Sequence, residues 1–369
     1  MAHCTRRWLL AATVAAGLAP RAMAAAAAPA APAAPASRMR DVLDTPASKS
    51  PLAAAALLNG LAVAGPRIVA VGQRGHILWS DDAGAHWQQA EVPVSADLTA
   101  VCFPSPLQGW AVGHDGVVLH SADGGKTWSR QLDGRRIGQR LVEYYEREAG
   151  ASLAADPKRA AAWVGEAQRF AAQGADIPLL DVWFENETTG WVAGGFGMLL
   201  RTTDGGASWE PRPHVVDNPK TLHLYAVRGI GGELYVAGEQ GLLRKLDRAS
   251  GEFRAVTVPY QGTLFGIVGD ERALIVHGLR GTVLRSADGG ANWQPVTTSL
   301  QVGMTGSTRD AAGRFILVSQ AGHVLLSGDG GASFKLAKVE RPVPAAAVAF
   351  AQNTLLIAGP RGVHARPLP

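Results

Sequence analysis

Short apolar runs that end in glycine recur along the chain at regular intervals. Examples are IVAVG (68–72), GWAVG (109–113) and LIVHG (274–278), each followed by a turn and another apolar run. Runs of β-branched, aromatic and aliphatic residues punctuated by glycine predict strands joined by hairpins. Four short strands in about forty residues are the content of one β-propeller blade.

A second motif repeats together with the strands. It reads Ser/Thr, any, Asp, any, Gly, any, any, aromatic, and it occurs as SDDAGAHW (80–87), SADGGKTW (121–128), TTDGGASW (202–209), SADGGANW (286–293) and SGDGGASF (327–334). The spacing from Trp87 to Trp128 is 41 residues and that from Trp128 to Trp209 is 81, which is one repeat plus an insertion of about forty residues. Self-similarity at such a period is typical of propellers.

The pattern predicts an all-β, seven-bladed β-propeller with Asp-box hairpins. Its innermost strands are expected to begin near Leu58, Leu98, Leu179, Leu222, Thr263, Met304 and Ala345. The last blade lacks an outer strand, and an unpaired edge exposes backbone donors and acceptors. Residues 40–43 are predicted to supply that strand, although the alanine-rich residues 39–60 are also compatible with a capping helix.

The insertion, at about residues 134–177 between blades two and three, is predicted to be a helical hairpin. Ile137, Leu141, Tyr144 and Tyr145 recur at helical spacing. Asp156 and Pro157 form an N-cap and first-turn signal before Trp163.

The Asp boxes are predicted to be structural. The carboxylate can accept backbone N–H groups of its own turn, the glycines supply positive φ and the aromatic residue covers the adjoining sheet. The aspartates are distributed around a ring, whereas metal or catalytic ligands converge on one point. The structural set is Asp82, Asp123, Asp204, Asp288, Asp329, Trp87, Trp128, Trp209 and Trp293. We expect no catalytic residue, metal or cofactor.

The amino-terminal composition predicts export. Residues 1–24 combine a basic Arg6-Arg7 pair, an apolar stretch and a small-x-small cleavage site, which is typical of a signal peptide of either the Sec or the twin-arginine type. Residues 25–38 are an Ala/Pro linker, and residues 39–369 form the propeller. Cleavage would remove Arg6, Arg7 and Arg21 and no acid, so the formal charge falls from +4 to +1. We therefore expect a periplasmic, monomeric mature protein that binds no nucleic acid, has no membrane span, and keeps one unpaired cysteine, Cys102.

Asp boxes also occur in sialidases, so a sialidase-like glycoside hydrolase is the enzyme alternative. That chemistry needs a tyrosine nucleophile and three arginines at the propeller centre. The five tyrosines do not fit it: Tyr144 and Tyr145 lie in the insertion, and Tyr225 and Tyr235 are expected in strands. No other hydrolase or metal-site motif is present.

Blade geometry predicts which face could bind a partner. Counting strands A to D outward from the axis, the A–B and C–D turns share one face, and the B–C turns and D–A links share the other. The B–C turns include Arg74, Arg280 and Arg361, and the helical hairpin is a D–A link. The candidate partner-binding set is therefore Arg74, Arg280, Arg361, Tyr144, Tyr145 and Trp163, because arginine forks suit carboxylates. Solvated turn arginines and a hairpin that packs on its own propeller are the alternative.

The unit GWAVG-x-x-G-x-x-x-x-S-x-D-G-G-x-T-W at 109–128 resembles the photosystem II stability/assembly factor family, and the resemblance extends from about Leu58 to Arg366. It implies an exported, non-enzymatic propeller that holds a membrane protein or its exported segment, with an arginine-lined face. Arg74, Arg280 and Arg361 are the matching positions. The helical insertion departs from that family and favours a proteobacterial relative, for which an accessory protein of an envelope transporter is a further alternative.

Overall fold

The computed structural model describes residues 40–151, 153–339 and 341–368. The predicted signal peptide at residues 1–24 and the predicted Ala/Pro linker at residues 25–38 lie outside them. The described residues form seven antiparallel sheets, six with four strands and the last with three. Blades one to three contain β1 (Leu58–Ala64), β2 (Arg67–Gly72), β3 (Ile77–Ser80), β4 (Gln88–Gln89), β5 (Leu98–Cys102), β6 (Gly109–Gly113), β7 (Val118–Ser121), β8 (Ser129–Leu132), β9 (Leu179–Phe184), β10 (Gly190–Gly194), β11 (Leu199–Thr202) and β12 (Glu210–Pro211).

Blades four to seven continue the order along the chain. They contain β13 (Leu224–Ile230), β14 (Glu233–Gly238), β15 (Leu243–Asp247), β16 (Glu252–Ala255), β17 (Leu264–Gly269), β18 (Leu274–Gly278), β19 (Val283–Ser286), β20 (Gln294–Pro295), β21 (Met304–Arg309), β22 (Phe315–Ser319), β23 (Val324–Ser327), β24 (Lys335–Leu336), β25 (Ala347–Ala351), β26 (Thr354–Gly359) and β27 (Gly362–Pro367). The predicted all-β, seven-bladed propeller is confirmed.

The second strand of each blade is buried on both faces. All five residues of β6, β10, β18 and β22 are buried, as are the apolar residues of β2, β14 and β26. This explains why those strands appear in the sequence as unbroken apolar runs instead of alternating ones. The apolar clusters run between consecutive blades, so the core is a ring of inter-blade seams.

The Asp boxes are C–D hairpins whose carboxylate closes its own turn. In box two, Asp123 accepts the backbone N–H groups of Lys126 and Thr127, both at 3.0 Å, and the Thr127 hydroxyl at 2.7 Å. In the fourth box, hydrogen bonds from the backbone and side chain of Asn292 lower the pKa of Asp288 to about 2. The hydrogen bonding that we predicted for the boxes is confirmed.

The box tryptophans seal the seam with the preceding blade. Trp128 of blade two meets Phe103 edge-to-face, with ring centroids 5.9 Å apart, in a cluster that includes Val69 of blade one. Trp87 of blade one packs in the same way on Leu356 of blade seven. A turn motif on one face thus determines how two sheets meet.

The same packing closes the ring, and the predicted closing strand is wrong. Among the described residues β27 pairs only with β26, and Arg40–Leu43 form no strand. Two 3₁₀ turns, Val42–Asp44 and Ala53–Ala55, take the place of both the strand and the alternative capping helix. The seam between blades seven and one is filled by Trp87, Leu356 and Ala53, which leaves strand exchange unnecessary.

The predicted helical insertion is confirmed as α1 (Gly134–Ala149) and α2 (Pro157–Gln173). Asp156 caps α2 by accepting the Arg159 N–H at 3.0 Å. Gly134 begins α1 against Gly116, where a Cβ on Gly134 would lie 2.6 Å from the Ala175 Cα. Such close approach requires glycine. The hairpin then packs along the outer edge of blade three.

Removing a box carboxylate should loosen one seam. For Asp123→Ala, which deletes the acceptor of two backbone N–H groups, we expect a loss of about 2 kcal/mol in the free energy of unfolding, measured by urea denaturation. Asp123→Asn keeps one acceptor oxygen and should lose less. The exposed Glu187, whose side chain makes no hydrogen bond, provides the control: Glu187→Ala should change stability by less than about 0.5 kcal/mol. Equal losses for Asp123→Ala and Glu187→Ala would contradict the role of the box.

Candidate functional site

The two faces of the propeller differ in how their polar groups are used. On the face with the Asp boxes, the box aspartates and the A–B turn arginine Arg67 are engaged, since Arg67 binds Asp81 at 2.6 and 2.7 Å. On the opposite face, which we call the B–C face, three B–C turns carry arginines whose guanidinium groups have no partner among the described residues. The B–C face is therefore the candidate interface.

The three predicted arginines lie on the B–C face and are exposed. Arg74 and Arg280 occupy the middle of their turns with φ of 56° and 57°, and Arg361 lies in the two-residue turn between Gly359 and Gly362. Their guanidinium groups form no hydrogen bond or ion pair with a described residue. Blades seven and one are neighbours, so Arg361 and Arg74 lie side by side, whereas Arg280 belongs to blade five.

The residues before β1 cover part of this face. The Ala47 N–H donates to the Val92 carbonyl at 3.1 Å, and a Cβ on Gly362 would lie 2.0 Å from the Ala54 carbonyl oxygen. Asp44 is bound by Arg135 at the start of α1, at 2.8 and 3.0 Å. This segment therefore runs over the B–C face from blade two past blade one to blade seven. The uncovered part lies on blades three to six.

An arc of four rings lies on the uncovered part. It consists of Phe196, His223, Tyr225 and Phe265, which we call the aromatic arc. Its rings meet edge-to-face, with centroid separations of 5.0, 6.3 and 5.5 Å in chain order. It runs from the B–C turn of blade three to the mouth of the central channel. The sequence patterns did not predict this arc.

Phe196 is the unusual member of the arc. It is 46% exposed and has a φ of 55°, a conformation that a bulky side chain rarely adopts. Arg74, Arg280 and Gln240 hold the same turn position in other blades with polar side chains. The Phe196 N–H donates to the His223 Nδ1 at 2.8 Å, which fixes the turn. Aligning the B–C turns residue by residue would have revealed this exposed ring.

The central channel has a volume of about 540 Å³ and is lined by the inner strands of all seven blades. Its charged groups are engaged: Arg228 binds the buried Asp181, and Arg309 binds Asp270 at 2.8 Å. Asp181 also accepts the Val227 N–H at 2.8 Å. The arrangement that a sialidase needs, a tyrosine with three convergent arginines, is not present among the described residues.

Side chains at the start of the inner strands tie the blades together around this channel. Asn59 donates to the Leu98 carbonyl at 2.9 Å, Thr99 to the Leu179 carbonyl at 2.7 Å, and Thr305 to the Ala345 carbonyl at 2.7 Å. Each lies at a β-bulge where the inner strand changes register. A bulge changes the direction in which a side chain points. Here these side chains point to the neighbouring blade.

The tyrosines of the insertion are internal, and the prediction that they meet a partner is at odds with their burial. Tyr144 and Tyr145 are 5% and 1% exposed. The Tyr145 hydroxyl lies 3.0 Å from the Nδ1 of His214, and Trp163, which is half-buried, stacks on the Tyr145 ring at 5.3 Å. Burial raises the pKa of Tyr144 to about 12 and lowers that of His214 to about 4. These neutral rings attach the hairpin to the propeller, and the Arg159 guanidinium adds a hydrogen bond to the His214 carbonyl at 2.7 Å.

No group of three histidine, cysteine, aspartate or glutamate side chains in the described part of the chain is placed to hold a metal ion. Cys102 is a free thiol whose pKa is raised by burial. In that same part of the chain no helix has the length and apolar character to cross a membrane.

The fold and its repeated hairpins define the class of protein: a seven-bladed Asp-box β-propeller. The chain belongs to the family described as Photosynthesis system II assembly factor YCF48, whose model matches residues 66–142 and 167–338. The unmatched residues between those ranges, 143–166, comprise the end of α1, the connection between the helices and the start of α2. The resemblance found in the sequence is confirmed.

Among curated relatives, the photosystem II assembly lipoprotein Ycf48 of Synechococcus sp. (strain CC9902) is 28% identical over 151 residues, which are 39% of this chain and 44% of that protein. The chloroplastic photosystem II stability/assembly factor HCF136 of Arabidopsis thaliana is 38% identical over 79 residues, 21% of this chain and 19% of that protein. The matches thus span less than half the length of these relatives.

Solved structures share the fold. YCF48 bound to D1 peptide superposes with a TM-score of 0.62 at 17% identity, covering 86% of this chain and 94% of that one. The WD40 β-propeller domain of Doa1 superposes with a TM-score of 0.59 at 9% identity, covering 87% and 94%.

Acid should destabilise the packing of the strands around the channel, because His277 becomes protonated. Burial lowers the pKa of His277 to about 4; its Nδ1 lies 2.9 Å from the Met304 carbonyl and its Nε2 2.9 Å from the Ser307 hydroxyl. The neutral tautomer with a proton on Nδ1 satisfies both contacts. The unfolded chain binds this proton at an ordinary pKa of about 6.5, so stability is fully present above that pH and is lost as the pH falls toward 4.

We expect His277 to contribute roughly 3 kcal/mol to this loss in the free energy of unfolding. Denaturant unfolding between pH 7 and pH 4 measures it. His277→Gln preserves a donor and an acceptor without a titrating group, so its stability should depend less steeply on pH. Identical pH profiles for His277→Gln and the unaltered chain would rule out this role.

Proposed function

We propose that this chain is an exported, non-enzymatic assembly factor that holds an exported segment of a membrane protein on its B–C face. The observation that carries the proposal is the set of exposed guanidinium groups of Arg74, Arg280 and Arg361, which have no partner within the described chain. Membership of the YCF48 family supports it, as does the solved complex of a YCF48 with a D1 peptide.

The turns present the arginines in a fixed way. The Arg74 N–H donates to the Asp97 carboxylate at 2.7 Å, and Gly281 packs so closely that a Cβ there would lie 1.9 Å from the Leu300 carbonyl. A rigid backbone lowers the entropy lost when a long side chain binds. Guanidinium forks pair with carboxylates, and the aromatic arc beside Arg280 offers apolar contact. The partner segment should therefore combine carboxylates with an apolar or aromatic residue.

The absence of catalysis and the periplasmic location belong to the same proposal. The channel arginines are engaged by Asp181 and Asp270, and the box aspartates by their own turns. The signal-like residues 1–24 and the single cysteine of the remaining chain are compatible with an oxidising compartment. Both sets of observations support a binding protein outside the cytoplasm.

Binding of the D1 peptide seen with YCF48 tests the proposal. We expect fluorescence anisotropy to show binding that weakens about tenfold or more in the triple variant Arg74→Ala, Arg280→Ala and Arg361→Ala, because each guanidinium–carboxylate pair at a surface contributes up to about 1 kcal/mol. Added salt should weaken binding by the unaltered chain more than by the variant.

A triple variant on the Asp-box face provides the charge-matched control. Lys126, Arg272 and Lys335 are exposed there, and replacing all three by alanine should leave the affinity unchanged. If both triple variants bind the peptide as tightly as the unaltered chain, the arginine face is not the binding face.

A further inference from the structure

A second cationic cleft lies away from the B–C face, between α1 and the C–D hairpin of blade three. We call it the α1 groove. It has a volume of about 270 Å³ and is lined by Arg140, Glu143, Tyr144, Arg147, Arg201, Thr202, Thr203, Ser208, Trp209, Glu210 and Pro211. Three guanidinium groups therefore face two carboxylates, of which Glu210 is already bound by Arg212 at 2.7 Å.

Two of the three arginines have no partner. Arg140 and Arg201 form no hydrogen bond or ion pair with a described residue. The Arg201 guanidinium lies over the Trp191 ring at 5.3 Å, and its Nε is buried without an acceptor. Among the described residues, the Arg147 guanidinium contacts the neighbouring Glu148 at 3.2 Å and the Tyr144 ring at 5.2 Å.

The unpaired state of Arg201 is not a property of the repeat. The same position of the third strand is Lys245 in blade four and Arg285 in blade five. Lys245 binds Glu233 at 3.0 Å, and Arg285 donates to the Gly330 carbonyl at 2.7 Å. The basic residues at this position in blades four and five are thus engaged, and in blade three Arg201 faces a cleft instead.

Trp209 differs from its counterparts in the same way. The indole N–H groups of Trp87, Trp128 and Trp293 donate to a carbonyl of their own box at 3.0 to 3.1 Å. The indole N–H of Trp209, a residue that is 4% exposed, has no acceptor. A buried donor without an acceptor destabilises the fold by about 1–3 kcal/mol. Trp209 lines the groove, so a ligand that binds there would change the surroundings of this N–H group.

Together these donors point to an oxyanion ligand, and their spacing selects the kind. Arg140 and Arg147 are seven residues apart on α1, which places their backbones about 10 Å apart along the helix axis. A ligand with two anionic groups can engage both positions. An extended segment in the polyproline II conformation rises about 3.1 Å per residue with three residues per turn, so carboxylates three residues apart lie on the same side of it, about 9 Å apart.

We propose that the α1 groove binds an extended acidic segment of a protein, with carboxylates spaced about 10 Å apart received by Arg140, Arg147 and Arg201. The site goes beyond the proposed function, since it lies on the outer edge of blade three. Three of its lining residues, Glu143, Tyr144 and Arg147, lie in the segment between residues 142 and 167 that the family model does not match.

The probe is a short uncharged peptide into which two glutamates are placed three positions apart, and the readout is the NMR signal of the Trp209 indole N–H, assigned with Trp209→Phe. We expect the peptide to shift this signal saturably at low ionic strength. The glutamine version of the peptide should not shift it. Inorganic phosphate should bind at least about tenfold more weakly, because it reaches fewer guanidinium groups.

Variants distinguish binding in the groove from a general effect of positive charge on the peptide. Arg140→Gln and Arg201→Gln should each weaken binding about fivefold, whereas Arg136→Gln, on the same helix but outside the groove, should have no effect. Arg201→Lys keeps the charge over Trp191 and should weaken it less than Arg201→Gln, which excludes a purely structural loss. The triple variant of Arg74, Arg280 and Arg361 should bind this peptide normally, so the two proposals fail separately.

Three results would overturn the proposal. They are equal binding of the glutamate and glutamine peptides, unchanged affinity in both Arg140→Gln and Arg201→Gln, and phosphate binding as tight as that of the peptide. The last would make the groove a small-anion pocket only.

Discussion

The packing between neighbouring blades is the interaction on which the rest of the structure depends. A four-stranded sheet of about forty residues cannot bury both of its apolar faces alone, so each blade relies on the blades beside it. Two local devices fix that packing: the Asp-box tryptophan at one face, as Trp128 does in its cluster with Val69 of the preceding blade, and the bulge side chains such as Thr99 beside the channel. Both belong to the repeat, and both act across a seam.

The sequence was most informative where structure follows from local patterns. The box hydrogen bonds of Asp123, the inner-strand starts at Leu58 and Leu98 and the helical hairpin from Gly134 all result from spacing within a few residues. Contacts between distant segments could not be predicted in this way. Tyr145 meets His214 69 positions away, so helical periodicity identified the apolar stripe of α1 but not what covers it.

The way in which the ring closes could not be predicted from the sequence for the same reason. A missing outer strand suggested strand exchange, because an exposed edge is unfavourable. In the structure, blade seven instead packs against blade one, with Trp87 against Leu356. The residues before β1 cross the B–C face and place Ala54 against Gly362. That route also shields part of the face on which the sequence placed three equivalent arginines. Arg280 and the aromatic arc are consequently the more accessible part of the proposed interface.

Arg280 and Arg201 differ from the arginines that stabilise the propeller in having no hydrogen-bond or ion-pair partner among the described residues. Arg67 and Arg228 each bind an aspartate, and such pairs stabilise the scaffold without offering charge to a ligand. Arg280 lacks a partner because its turn projects it into solvent, which costs little. Arg201 also lacks a partner, and its Nε is buried. A buried donor without an acceptor destabilises the fold unless a ligand supplies that acceptor. The α1 groove therefore carries the stronger physical argument for occupancy, whereas the B–C face rests on what the resemblance to the family implies.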